Sequence, residues 1–274
     1  MTTLDLSLCY QDLGLTEPPF RLTPDTDFFF PGSQHLEALN HLQFGIASGA
    51  FTLLTGEVGL GKTLLCRHLL RHPPDGIRFA YLINPDQSYA DLLTSIYEDL
   101  TGTTPEDRSL GALQRELPKL LICLAERGER VVVLVDEAHR LSGKVLEGLR
   151  LLSNLDTEKD KLMCLLLVGQ PELEQKLAAR AFRPLRQRIS VRYRLQPFGY
   201  RETRDYILYR INKVQKANSL RFQAGVLWLI YFLSGGVPRR INQLCDRALL
   251  GAFARKNPVI SHFLIWKASK EFLK

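Results

Sequence analysis

The chain has little cysteine, and what it has is not organised. Five cysteines stand in 274 residues, at positions 9, 66, 123, 164 and 245. Their number is odd, no two have metal-ligand spacing, and most lie in apolar runs. This excludes a disulfide-stapled scaffold and a cysteine-built zinc site, and fits buried free thiols in a reducing compartment. Long hydrophobic runs are also missing. The longest, Val226–Leu233, is followed by two glycines. A membrane span needs about 20 apolar residues, so this run reads as a buried helix. The start lacks the basic-then-apolar pattern of a secretory signal, because Asp5 interrupts it. There is no internal repeat and no low-complexity tract. The expectation is a soluble, cytoplasmic protein with no direct membrane span, recruited to the inner membrane only through a partner.

What is present is ordinary in bulk. Hydrophobic content of 45% and charged content of 24% are globular values, and the length allows one large domain or two modest ones. A net charge of +7 permits an acidic partner such as nucleic acid without requiring one.

The informative stretch is Gly56-Glu57-Val58-Gly59-Leu60-Gly61-Lys62-Thr63, which fits G-x-x-x-x-G-K-[ST]. Glycines let the backbone turn tightly and approach a polyphosphate, so that successive N–H groups form an anion nest. Lys62 supplies a cation for the β- and γ-phosphates, and the Thr63 hydroxyl is placed to ligate Mg²⁺. The context is the required one. Ala50–Thr55 reads as a buried strand, and Lys62–Leu70 as a helix whose N-terminus faces the phosphates. Residues 56–63 with Leu64 are therefore the expected nucleotide-binding stretch, with ATP and Mg²⁺ as the cofactors.

Strand and helix signals alternate along the chain. A helix is expected over Ser33–Ser48, strands over Ile77–Ile83, Val131–Val135, Leu162–Val168 and Ile189–Leu195, and helices over Ser88–Leu100, from Ser109 to Arg127, and over Gly143–Leu155. Asn84-Pro85-Asp86 ends the second strand, Pro118 marks a kink, and Pro171 opens a short helix. Such alternation implies a parallel sheet with helices on both faces. From Tyr200 onward strand signals stop and four helices follow, near 200–216, 223–234, 238–254 and 260–273. Residues 1–32 lack periodicity but carry Phe28-Phe29-Phe30, which would be costly in water. The expected organisation is an N-terminal segment and helix over 1–48 packed on the core, an α/β core over 49–197, and an all-α lid over 198–274.

Asp136-Glu137-Ala138-His139 directly follows the Val131–Val135 strand. Acids at that end of such a strand lie beside the phosphate loop. Asp136 would hold Mg²⁺ through water, and Glu137 would orient and polarise the attacking water. His139 is either a surface histidine or a residue coupling the site to a partner. Gln170, after the fourth strand, is either a turn residue or a hydrogen-bond donor to the γ-phosphate or lytic water. Arg180, Arg183, Arg186, Arg188, Arg192 and Arg194 form a run without an acid. It serves as an arginine finger toward a neighbouring subunit, as a phosphate track for nucleic acid, or as a solvated basic face. Arg188 is the first finger candidate and Arg186 the second. Arg239, in Gly-Gly-Val-Pro-Arg-Arg at a helix start, could reach the γ-phosphate.

Phosphate loop, Asp-Glu at a strand end, Gln170, a distal arginine and Gly-Val-Pro-Arg in a helical lid together resemble an AAA+ ATPase over residues 50–255. That resemblance implies a sheet order of 5-1-4-3-2, nucleotide between core and lid, and hydrolysis at an interface in an ATP-dependent homo-oligomer, a ring or a dimer. A narrower likeness lies in Pro19-Phe20, Leu22-Thr23-Pro24-Asp25, Phe28–Pro31, Thr55–Thr63, Leu185–Ile189 and Arg239–Cys245. These resemble the ATPase family of general secretion pathway protein A and the ATPase of mannose-sensitive haemagglutinin (type IV) pilus biogenesis. The implied partners are envelope secretion or pilus assembly proteins. The secretion relative usually continues into a membrane span and a peptidoglycan-binding domain, so the shorter pilus-type relative is favoured. Leu60 stands where a small or hydroxylic residue is commoner. The N-terminal phenylalanines flank the adenine or pack in the core.

Three other readings compete. A DNA-dependent AAA+ ATPase, of transposition or origin type, draws on the basic stretch. A nucleotide-gated scaffold that hydrolyses slowly or not at all is opposed by Glu137 and the arginines. The Asp-Glu-Ala-His tetrapeptide resembles DEAH helicases, but those need a second RecA-like domain and a Gln-Arg-x-Gly-Arg motif, and Gln187-Arg188-Ile189-Ser190 lacks the glycine.

Overall fold

The computed structural model describes residues 6–83, 87–152, 161–216 and 220–272. In chain order the elements begin with α1 (Leu6–Asp12), α2 (Ser33–Ala47), β1 (Phe51–Thr55), α3 (Lys62–Arg71) and β2 (Ile77–Leu82). There follow α4 (Tyr89–Thr101), α5 (Leu110–Glu126), β3 (Arg130–Val135), α6 (Gly143–Leu152) and β4 (Met163–Gly169). Next come α7 (Glu172–Ala178), α8 (Arg183–Arg188), β5 (Ile189–Arg194) and α9 (Tyr200–Val214). The chain closes with β6 (Arg221–Phe222), α10 (Val226–Ser234), α11 (Pro238–Ala254), β7 (Val259–Ile260) and α12 (His262–Phe272). The expected turn at residues 84–86 and the expected end of α6 at 153–155 lie outside the described residues.

Local chemistry sets several ends. Ser88 accepts from the Asp91 N–H while Asp91 accepts from the Ser88 N–H, a reciprocal cap that starts α4. Gly102 ends it with φ of 72°. Ser109 caps α5, which runs through Pro118, and Pro238 opens α11.

Five strands form one parallel sheet in the order β2-β3-β4-β1-β5, the order implied at the sequence level read from its other edge. All seven residues of β4 and all five of β1 are buried. A strand buried on both faces needs a continuous apolar run rather than alternation, and Cys164-Leu165-Leu166-Leu167-Val168 supplies one.

The described residues divide into two compact units. The α/β unit holds Gln34–Val58 and Leu65–Leu195. The helical unit holds residues up to Ser33, Gly59–Leu64, and Gln196 onward. The α/β core is built on Leu53, Leu93, Leu117, Val133, Leu146 and Leu165.

The helical unit departs from the sequence reading in two ways. The segment before Ser33 is not part of the α/β unit. Tyr10, Leu13, Leu15, Phe20 and Phe28 share a core with Phe198, Ile207, Ile230, Ile241 and Leu244. Polar contacts reinforce this. Buried Arg210 donates to Pro19 O at 2.9 Å and lies over the Phe28 and Tyr206 rings. Tyr10 donates to Asp246, and Asn242 to Arg21 O. α2, from Gln34 on, follows the α/β unit. The second departure is that this unit is not wholly α. Arg221–Phe222 and Val259–Ile260 pair as a two-residue parallel ladder. Runs that short carry no readable alternation.

The cysteine reading is testable. Cys9, Cys66, Cys164 and Cys245 are buried and Cys123 is half-buried. Burial pushes the Cys164 thiol up to about 12 and raises Cys245 as well, so neither offers thiolate at neutral pH. A disulfide exchange reagent on native protein should titrate one thiol quickly and the other four only in denaturant. Two or more fast equivalents would contradict this packing.

Candidate nucleotide-binding site

The loop after β1 is shaped by its glycines. Gly59 and Gly61 have φ of 84° and 96°, in the left-handed region where a Cβ is strained. Two such residues within three curl the backbone so that its N–H groups face inward. The chain then enters α3, whose first N–H groups have no intrahelical acceptor. Lys62 opens that helix and is 6% exposed. Gly56 and Leu60 are buried, Thr63 and Leu64 are half-buried, and Glu57 and Val58 are exposed. The unusual Leu60 is accommodated by turning its side chain fully inward.

Gly59 is constrained a second time. The Arg239 N–H, at the start of α11, donates to Gly59 O at 3.1 Å. A Cβ on Gly59 would stand 2.7 Å from the Arg239 Cβ and 3.2 Å from Val237 Cγ1. The first turn of α11 therefore lies against the phosphate loop, with the Arg239 side chain exposed.

Strand register brings the other candidates to the same sheet edge. Thr55 pairs with Gly169, and Val135 with Leu167, so β1 and β4 end level and β3 ends two residues before them at the same edge. At about 4.8 Å per strand, Asp136 leaves the sheet about 10 Å from the end of β1. Asp136 is 2% exposed. Its Oδ1 accepts the Glu137 N–H at 2.9 Å, and its Oδ2 accepts the Tyr81 hydroxyl at 3.4 Å. Burial, with Cys66 and Asp136 nearby, raises the Tyr81 phenol well above its usual value and keeps it a neutral donor. No local pattern marks Tyr81. Its role comes from the β2–β3 register, which sets it opposite Leu134.

Glu137 has φ of 51°, a left-handed backbone on a non-glycine residue. Such strain costs on the order of 1 kcal/mol or more and persists only where the surroundings impose it. Here they do. Lys176 Nζ donates to His139 O at 2.6 Å and Leu141 O at 2.9 Å. At the end of β4, a Cβ on Gly169 would come within 3.2 Å of His139 N. The Glu137 carboxylate, 36% exposed, accepts from Gln170 Nε2 at 3.4 Å and has His139 Nδ1 at 3.5 Å. Asp136, Glu137, His139 and Gln170 are thus one cluster. The sequence signals for Asp136, Glu137 and Gln170 were positional; Lys176 and Tyr81 had none.

The arginines separate by environment. Arg180, Arg183, Arg186, Arg192 and Arg194 are exposed. Arg188 is half-buried, donates to Arg150 O at 3.3 Å and lies over the Phe51 ring. Arg186 donates to Ala178 O at 3.4 Å. Among the described residues no group of three or more His, Cys, Asp or Glu converges as a metal cage.

Residues 46–177 match a family model described as an AAA domain. Over 253 residues the chain is 42% identical to General secretion pathway protein A of Aeromonas hydrophila, covering 92% of this chain and 46% of that protein. The chain therefore spans about half the length of that relative. Similar solved structures include Cdc6p from Pyrobaculum aerophilum, at TM-score 0.69 and 20% identity over 90% of this chain and 71% of that one. The Aeropyrum pernix ORC1 protein in complex with DNA gives TM-score 0.70 and 19% identity over 93% and 69%. The Thermotoga maritima RuvB Holliday junction branch migration motor gives 0.59 and 19% over 88% and 69%. At such identities these structures speak for the fold alone. The chain has the AAA+ P-loop fold, its residues 46–177 match an AAA domain, and over nine-tenths of its length it resembles general secretion pathway protein A.

Proposed function

We propose that this chain binds ATP with Mg²⁺ and hydrolyses it, and that turnover supports assembly of an envelope secretion or type IV pilus machine. The likeness to General secretion pathway protein A, running through 92% of the chain, carries the choice of machine. The glycine cradle carries the choice of ligand. Left-handed Gly59 and Gly61 turn the backbone beside buried Lys62, and a side chain at 59 would collide with Arg239 and Val237.

In this reading residues 49–197 are the catalytic core and 198–274 the lid. Backbone N–H groups of 56–64 and the Lys62 ammonium bind the phosphates. Thr63 and, through water, Asp136 would hold Mg²⁺, which takes hard oxygen donors. When bound, that ion supplies charge neutralisation at the phosphates. Glu137 aligns the attacking water and draws its proton. Gln170 steadies that carboxylate and offers an amide toward the γ-phosphate. Arg239 offers a guanidinium toward it. The chain works as an ATP-dependent homo-oligomer at the cytoplasmic face of the inner membrane. One copy lends an arginine to its neighbour's site. Arg188 would first have to leave Arg150 O and Phe51, whereas Arg186 is already exposed.

A second reading, a DNA-dependent ATPase, is favoured by one observation: five exposed arginines between positions 180 and 194. They could track phosphates.

Four outcomes check these roles. Gly59→Ala should weaken ATP binding at least tenfold, because both its φ and the Arg239 approach forbid a Cβ; unchanged affinity by calorimetry would remove the cradle. Glu137→Gln should bind ATP yet turn over at least about 100-fold more slowly. Mixing it with Arg186→Ala or Arg188→Ala protein should recover activity for the variant that removes the finger, and no recovery with either would exclude donation in trans. The specific ATPase rate should rise with protein concentration and ignore duplex DNA. Strong stimulation by DNA at low salt, lost at high salt, would replace the assembly reading with the DNA-dependent one.

A further inference from the structure

The charge of the chain is unevenly spread. From Gln196 to Lys274 there are 14 Lys and Arg against 4 Asp and Glu, a balance of +10, while the chain as a whole carries +7. The first 195 residues are therefore slightly acidic. The four acids are all engaged locally. Glu202 accepts from Ser33, Asp205 pairs with Arg204, Asp246 accepts from Tyr10, and Glu271 pairs with Arg247.

The same unit exposes large aromatics. Trp228 and Phe232 on α10 are 55% and 66% exposed, and Phe263 and Trp266 on α12 are 48% and 50% exposed. The spacings, four and three residues, put each pair on one face of its helix. The two helices start side by side. Arg221 and Phe222 pair in parallel with Val259 and Ile260, and each strand leads into its helix within three residues. The His262 ring lies 3.4 Å from where a Cβ on Gly225 would stand, and the Gln223 amide oxygen accepts from His262 N. Cations border these rings: Lys270 Nζ lies 3.7 Å from the Trp266 ring centre and the Arg255 guanidinium 4.5 Å from Phe263. Lys267 is exposed beside them.

We propose that this face of the helical unit, Trp228 and Phe232 on α10 with Phe263 and Trp266 on α12, docks peripherally on an anionic lipid bilayer. Exposed Trp and Phe partition into the headgroup boundary, and basic residues add attraction to anionic lipid. Single-stranded nucleic acid needs free ring faces for its bases. Here the Trp228 and Phe232 rings stack on each other at 5.6 Å and 8°, and Trp266 and Phe263 each carry a cation on a face. Insertion into lipid needs only exposed edges and apolar area. No described helix is long and apolar enough to cross a membrane, so the contact is with the surface. It does not depend on hydrolysis, and it makes recruitment to a membrane direct.

The chain reports on this face by itself, because Trp228 and Trp266 are its two tryptophans. The full chain is mixed with vesicles of phosphatidylglycerol and phosphatidylcholine, or of phosphatidylcholine alone, at two salt concentrations. Emission and co-sedimentation are followed. Blue-shifted emission and sedimentation with the anionic vesicles only, weakened by salt, is the expected result. Trp228→Ser with Phe232→Ser should lower partitioning at least tenfold. Lys267→Glu with Lys270→Glu should lower it by about fivefold or more per charge and leaves the rings in place should the first variant fold poorly. Circular dichroism and ATP affinity serve as controls for both. No sedimentation with anionic vesicles at low salt, or binding indifferent to both variants, overturns the proposal. So does an emission shift produced by oligothymidylate but not by vesicles, or one that follows protein concentration without lipid, which would assign the face to single-stranded DNA or to a second copy of the chain.

Discussion

The pairing of β4 with β1 on one side and β3 on the other is the constraint on which the α/β unit rests. β4 has no exposed residue, so every backbone polar group along it must be satisfied by a neighbouring strand. Parallel pairing then leaves no freedom in where its neighbours end. The phosphate loop leaves after Thr55, Asp136 after Val135 and Gln170 after Gly169, all at one edge. A shift of register by one residue would turn the apolar side chains of a strand to its other face and carry the acids away from Gln170. The chemistry at the edge is therefore specified by hydrophobic packing several residues below it.

The polar cluster at that edge shows how rigidity is obtained at modest cost. The left-handed turn at Glu137 is held by Lys176, whose ammonium spans two carbonyls, and by the glycine that lets β4 approach His139. Charge-assisted hydrogen bonds of this kind contribute about 1.5–3 kcal/mol, enough to offset the strain of one left-handed residue.

Much of this was legible in the sequence, and the reasons differ by element. β3 and β4 announce themselves as uninterrupted apolar runs, α4 by Ser88 and Gly102, and the phosphate loop by spacing within eight residues. These signals are local, and the strand order followed once they resembled a known family. The unread features come from contacts between distant residues. Nothing near Arg210 indicates that it covers Phe28 and Pro19, so the sequence does not show that the N-terminal segment packs with the helical unit. The positive φ of Glu137 is imposed by Lys176, 39 positions on. The partition of Arg186 from Arg188 depends on α6, whose Arg150 carbonyl receives one and not the other. Two-residue β6 and β7 offer too few positions for alternation to register.

The helical unit is discontinuous, and this affects how the chain folds as it is made. Tyr10 meets Asp246 across 236 residues, and Pro19 meets Arg210 across 191. On a ribosome adding roughly 5–20 residues per second, Phe20 and Phe28 emerge on the order of ten seconds or more before the helices that bury them. Over that interval the α/β unit can close its sheet while an apolar leader waits in water. The order of synthesis thus opposes the order of packing, and the segment at the front of the chain is among the last to find its place.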